Sequence, residues 1–160
     1  MKRVLSIVVP FGAVIALIVA VTASASGSGN EGSGHDRGGK TITVIEHATT
    51  DTTTDTGAEG DSVGDILTFA NDVFDANDAT KVGTDNGYCL RTVKGAAYEC
   101  NWTTRLAGGQ ITVEGPFLDA ANSTLAITGG TGRYRGARGT MDLQSREGGA
   151  KFAFVFHIKG

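Results

Sequence analysis

The stretch LAITGGTGRYRGARGTMDLQ, Leu125 to Gln144, decides the fold. Between Ile127 and Gly139 it places Gly129, Gly130, Gly132, Gly136 and Gly139 among Arg133, Arg135 and Arg138. A glycine loop that grips a phosphate needs a helix directly behind it, whose first amides hold the anion. Here the sequel is ARGTMDLQ, which alternates apolar and polar residues as a strand does. The nucleotide-binding α/β class is therefore set aside. The glycines predict a sharp reversal between two strands, where positive φ and close backbone approach are needed. Arg133 and Arg135 then alternate with Tyr134 on a turn or strand rim, as solvated side chains or, alternatively, as a ligand clamp.

Outward from this reversal, runs of five to ten alternating residues are separated by Gly, Asn and Asp, and no stretch holds a helical apolar stripe for three turns. The expected strands are Lys40 to His47, Ile66 to Phe74, Tyr88 to Val93, Ala96 to Thr104, Gln110 to Glu114, Thr124 to Thr128, Ala137 to Gln144 and Lys151 to Ile158. Eight strands with short turns predict an all-β fold, a closed eight-stranded antiparallel β-barrel that leaves no free edges. An open sandwich is the competing arrangement. The Thr/Asp-rich segment from Ala48 to Gly64 has almost no large apolar residue and reads as a long solvated loop.

The N-terminus predicts export. Lys2 and Arg3 precede an apolar run from Val4 to Val21 that ends in Ala23-Ser24-Ala25, the order of a secretory signal peptide. Residues 1–25 are thus expected to be the signal peptide, 26–39 a Gly/Ser-rich tether and 40–160 the barrel domain, in a secreted protein free of the membrane after cleavage. An uncleaved apolar anchor is the alternative. Loss of Lys2 and Arg3 takes the formal net charge from −3 to −5, which excludes nucleic acid as the expected partner.

Two cysteines in an exported chain favour a disulfide, since Cys89 and Cys100 lack the further ligands of a metal site. With Lys94-Gly95 in a two-residue turn, Val93 lies opposite Ala96 and Cys89 opposite Cys100, close enough to bond. Strand alternation puts Glu46 on the face of Ile42 and Val44, Asn71 with Leu67 and Phe69, and Cys89 and Val93 with Tyr98 and Cys100. His35, His47 and His157 are scattered, so no metal is expected, and the Asp72 to Asp78 segment lacks the glycine and distal glutamate of a calcium loop. Asn101 and Asn122 begin glycosylation sequons, the first within an expected strand.

At this level of detail the chain resembles the allene oxide cyclase and dirigent superfamily of eight-stranded barrels. The resemblance is carried by VEGPF, AITGGTGRYRGARG, GDILTFAN, GYCLRTV and the closing FVFHIKG, and covers nearly all of Lys40 to Gly160. It implies an apolar interior around a small ligand, an isomerase (cyclase) activity if the protein is an enzyme, no cofactor, and a dimer or trimer. It also implies residue roles: Glu46 as the catalytic carboxylate, and Phe69, Asn71, Cys89, Tyr98 and Arg138 as substrate contacts. Departures are present. Ala48 stands where cyclases carry an asparagine, the Thr/Asp loop has no proline, and Arg133 follows Gly-Thr-Gly where dirigent proteins often have an acid. A non-catalytic, lipocalin-like binding module and a cell-envelope interaction domain are the alternative functions.

Overall fold

The protein is described by a computed structural model covering residues 38–159; the expected signal peptide and nearly all of the tether lie outside the described residues. Ten strands are present: β1 (Lys40–His47), β2 (Thr52–Thr54), β3 (Ile66–Phe69), β4 (Asp72–Phe74), β5 (Lys81–Val93), β6 (Ala97–Leu106), β7 (Gly109–Leu118), β8 (Ser123–Gly130), β9 (Arg138–Arg146) and β10 (Lys151–Lys159). Around the ring the order is β4-β1-β10-β9-β8-β7-β6-β5, and β5 returns to β4, so the sheet closes. All pairings are antiparallel. β3 pairs β5 beyond the end of β4, and β2 pairs β3. Thus β1 with β2, and β3 with β4, are each one barrel strand interrupted by a short break, and the barrel has the eight strands expected.

Three of the differences from expectation bear on the site. The Thr/Asp segment is not loop throughout, because Thr52–Thr54 pairs with Ile66–Thr68 as an exposed edge; three consecutive threonines suit extended backbone. β5 begins at Lys81, seven residues before Tyr88, since its polar KVGTDNG half pairs with Thr103–Leu106 and β4 although it carries no apolar alternation. The β5–β6 turn takes three residues, with Val93 opposite Ala97, while Thr92 is the extra residue of a bulge. The bulge restores Arg91 opposite Tyr98 and Cys89 opposite Cys100, but turns Val93 outward, where it is exposed rather than sharing the face of Cys89.

The glycine-rich stretch behaves as read. β8 ends at Gly130, a single 3-10 turn spans Gly132–Tyr134, and β9 follows with no α-helix. At Gly130 any Cβ would collide with the carbonyls of Tyr134 and Gln110, and Gly132 (φ +58°) and Gly136 (φ +74°) take the left-handed conformation. Midway through the barrel the interior is packed by Val44, Ile111, Ile127, Met141 and Phe156, all buried. The two ends beyond this floor differ in chemistry.

Candidate functional site

The end reached by the C-terminus of β1 and the N-terminus of β10 holds the buried polar groups. Glu46 is the last inward residue of β1 and is 5 % exposed. Asn71 sits in the break between β3 and β4, 1 % exposed, and is the hub. Its Nδ2 donates to Glu46 Oε1 (2.8 Å) and to Asp51 Oδ1 (2.7 Å). Its Oδ1 accepts from the amides of Thr49 (3.0 Å) and Thr50 (2.9 Å) and from the Thr50 hydroxyl (2.9 Å). The side chain therefore uses its donors and acceptor to pin the 48–51 segment beneath Glu46. This explains why the strand pair breaks here: the backbone bends to feed one buried amide.

A second carboxyl completes the group. Asp85 on β5 is 1 % exposed, and its Oδ1 accepts from the Asn71 amide (3.2 Å) while its own amide donates to Asn71 O (2.9 Å). Burial pushes Glu46 up to about 9, helped by the charges of Asp85 and Asp51, and burial pushes Asp85 up to about 7. Burial thus favours the protonated, neutral form within this pair of carboxyls.

Glu46 and Asp51 face a cavity of about 40 Å³ whose other walls are apolar. Five aromatic residues line it: Phe69, Trp102, Phe117, Phe152 and Phe154. Trp102 touches Phe69 edge-on (6.0 Å between centroids) and Phe154 at a tilt (5.4 Å), and Phe117 meets Phe152 edge-on (5.7 Å). Trp102 can turn inward because its partner across the sheet is Gly87, where a Cβ would collide with it. The Cys89–Cys100 disulfide forms part of the same wall, so neither thiol is free. Above the cavity, Arg91 donates to both oxygens of Asp119 (2.8 and 2.7 Å), meets Asp61 (2.7 Å) and stacks over Tyr98 at 3.6 Å. That clasp joins two loops across this mouth.

Of the residues singled out from the sequence, Glu46, Phe69 and Cys89 thus line one cavity and Asn71 bonds Glu46. Tyr98 stands one layer out, under Arg91 and 6.3 Å from Phe117. Arg138 does not join them. It is exposed at the opposite end, opposite Lys159, on an open bowl of about 510 Å³ rimmed by Lys40, Arg133 and Arg135. The volume of that bowl is larger, but it is surface space and no buried carboxyl faces it. Asp85, Asp51, Trp102 and Arg91 were not singled out from the sequence. Alternation in steps of two from Cys89 reaches Asp85 and Arg91, and one step from Cys100 reaches Trp102. Only the late start assigned to β5 hid Asp85.

Comparison with known proteins places this geometry in context. The family model described as "Allene oxide cyclase barrel like domain" matches residues 45–153. A solved pyocyanin demethylase is similar at 28% identity over 73% of this chain and 100% of its own, with a TM-score of 0.63. An exo-specific intermolecular Diels–Alderase aligns at 18% identity, 77% of this chain and 99% of its own, with a TM-score of 0.62. A pterocarpan synthase dirigent protein aligns at 16% identity, 78% and 99%, with a TM-score of 0.59. The latter two likenesses are of fold alone.

Proposed function

We propose, for a chain that belongs to the allene oxide cyclase-like barrel family, that the Glu46 end of the barrel takes up a small, ring-forming or ring-containing apolar molecule and steers its cyclisation. The observation that carries this is the buried Glu46 carboxyl, whose neutral form burial favours, facing an aromatic-walled cavity. A neutral carboxylic acid in an apolar enclosure donates a proton to oxygen as negative charge develops there, and the walls select one folded shape of the intermediate. Asn71 holds one oxygen of the acid in place, and the charge of Asp85 favours keeping the proton on Glu46. No cofactor enters this reading. The protein is read as exported, in keeping with a bonded cysteine pair, which belongs to an oxidising compartment.

The cavity of about 40 Å³ has room for water and falls far short of the roughly 300 Å³ at which small-molecule pockets begin. Substrate entry on this reading requires the half-buried Phe69, Phe117 and Phe152 to swing outward; each is only partly covered and so has solvent to move into. A second reading, removal of a methyl group from an aromatic compound, is favoured by the 28% identity to a pyocyanin demethylase along that protein's whole length.

The test is product analysis by liquid chromatography and mass spectrometry after incubation with a fatty-acid allene oxide, a diene with its dienophile, and pyocyanin. Cyclisation is supported if the first or second is converted with one stereochemical outcome and Glu46→Gln lowers the rate at least about 100-fold, the scale of general acid catalysis, while binding survives. Conversion of pyocyanin alone moves the reading to methyl removal. Uptake with no turnover leaves a lipocalin-like binder and overturns the enzyme.

A further inference from the structure

We propose that the open bowl at the Lys40 end is a second binding site, separate from the Glu46 cavity, and that it takes a phosphate monoester. The arginines of the glycine-rich reversal, which the Glu46 end leaves unused, help to build it.

Strand register gathers the charges. Lys40 at the start of β1 lies opposite Ile158, and Lys159 at the end of β10 lies opposite Arg138, the first residue of β9. Three neighbouring strands thus each bring a cation to one rim. The 3-10 turn after β8 sets Arg133 and Arg135 on the same bowl, with left-handed Gly132 and Gly136 reversing the chain there. That turn is fastened to its neighbours, since the Arg133 amide donates to Gly108 O (2.8 Å) and the Thr131 amide to Gln110 O (2.9 Å). Arg138 Nη1 donates to Ala137 O (2.7 Å), which holds its guanidinium at the bowl.

These cations have no acid to answer them. Elsewhere Lys81 meets Asp72, Arg91 meets Asp61 and Asp119, and Lys151 meets Asp78 and Glu147. No ion pair among the described residues includes Lys40, Arg133, Arg135, Arg138 or Lys159, and no carboxylate lines the bowl. This gathering occurs on a chain whose formal net charge is −3. Like charges held together repel and add nothing to the fold, whereas an arriving anion relieves that repulsion.

The residue types narrow the anion. Three of the cations are arginines, whose planar forks grip two phosphate oxygens at once. A carboxylate brings a single charge to this rim, whereas a phosphate monoester brings about two, with three strong acceptor oxygens. The bowl is open to solvent, which suits a ligand that stays partly hydrated. Its floor includes the half-buried Tyr134 and Ile158, a surface for the organic part of the ester, with Lys40 Nζ 5.8 Å from the Tyr134 ring centroid. A soluble ester and a lipid phosphate headgroup share this chemistry.

The experiment has two arms. The full chain is titrated calorimetrically with phenyl phosphate, and sedimented with phosphatidylcholine vesicles that contain or lack phosphatidic acid. Benzoate is the singly charged control. Phenyl phosphate is expected to bind at least about tenfold more tightly than benzoate, and more weakly as salt is raised. Arg135→Gln combined with Arg138→Gln is expected to weaken binding at least about tenfold, and because both side chains are exposed the barrel stays folded. Lys94→Gln combined with Arg146→Gln removes the same charge outside the bowl and is expected to leave binding unchanged. Capture by phosphatidic acid vesicles, lost in the first double variant, assigns the lipid source; phenyl phosphate binding without such capture assigns a soluble one. Absence of binding in both arms, benzoate bound as tightly as phenyl phosphate, or equal losses in the two double variants overturns the inference. None of these outcomes bears on the proposed cyclisation, since both double variants leave the Glu46 cavity intact.

Discussion

The two ends of this barrel are built on the same strands and obey the same alternation, but differ in what they bury. At the Glu46 end, inward positions carry Glu46, Asn71, Asp85 and Arg91 among aromatic rings, with a cavity between them. At the Lys40 end, the partly buried Ile42, Val82, Leu106, Tyr134 and Ile158 pack against the core, and the charges, Lys40, Arg133, Arg135, Arg138 and Lys159, stay on the rim. Alternation determines which residues enter a barrel; residue type then determines whether that space stores stability or chemistry. Buried carboxyls cost stability, so the packed half has to carry the fold for both.

The sharpest way to break this division of labour is to hollow the packed half. Phe156→Ala, at a side chain with no exposure, is expected to cost about 3–5 kcal/mol in a urea melt. Phe152→Ala, at the half-buried cavity wall, is expected to cost clearly less, because part of that ring is already in contact with solvent. Similar losses at both positions would mean that the ends are not energetically distinct.

The disulfide is the stabilising device of the Glu46 end. Replacing both Cys89 and Cys100 with Ala removes a cross-link over a sequence separation of 11 and is expected to lower stability by about 2–3 kcal/mol, read from the same denaturation curves. A smaller effect would show that the β5–β6 ladder alone holds the cavity wall.

A third perturbation uses pH. Glu46 and Asp85 both hold protons more tightly in the folded state than in the unfolded chain. Their contribution is fully present below the unfolded values of 4.5 and 3.8 and is lost as pH rises through the folded values of about 9 and about 7. Thermal stability of the native protein should therefore decline from about pH 5 to pH 9, and Glu46→Gln should flatten that decline, being the more stable protein at pH 8 and nearly equal at pH 5. A variant that tracks the native protein across this range would show that Glu46 is not held as a neutral acid. The smallest expected effect is at the other end: Arg138→Ala, exposed and without a salt bridge among the described residues, should change stability by no more than about 0.5 kcal/mol and leave turnover at the Glu46 end as it was. A marked loss of turnover would bring the basic bowl into the site.

The hydrophobic pattern alone determined the all-β class, the eight barrel strands, the reversal at the glycine-rich stretch, and the inward direction of Glu46, because a period of two and the demands of positive φ are local properties of the chain. The facing of Cys89 and Cys100 was legible for a related reason, even though the turn was misjudged: a bulge one residue from the turn compensated the extra turn residue, and local spacing survived. Tertiary structure alone decided that Asn71 bridges Glu46 to Asp51, that Asp85 becomes the second proton holder, and that Arg138 stands a barrel's length from both. Those relations join β1, β4 and β5 through sheet closure, and closure is set by packing and strand shear around the whole ring, which no short window of sequence contains.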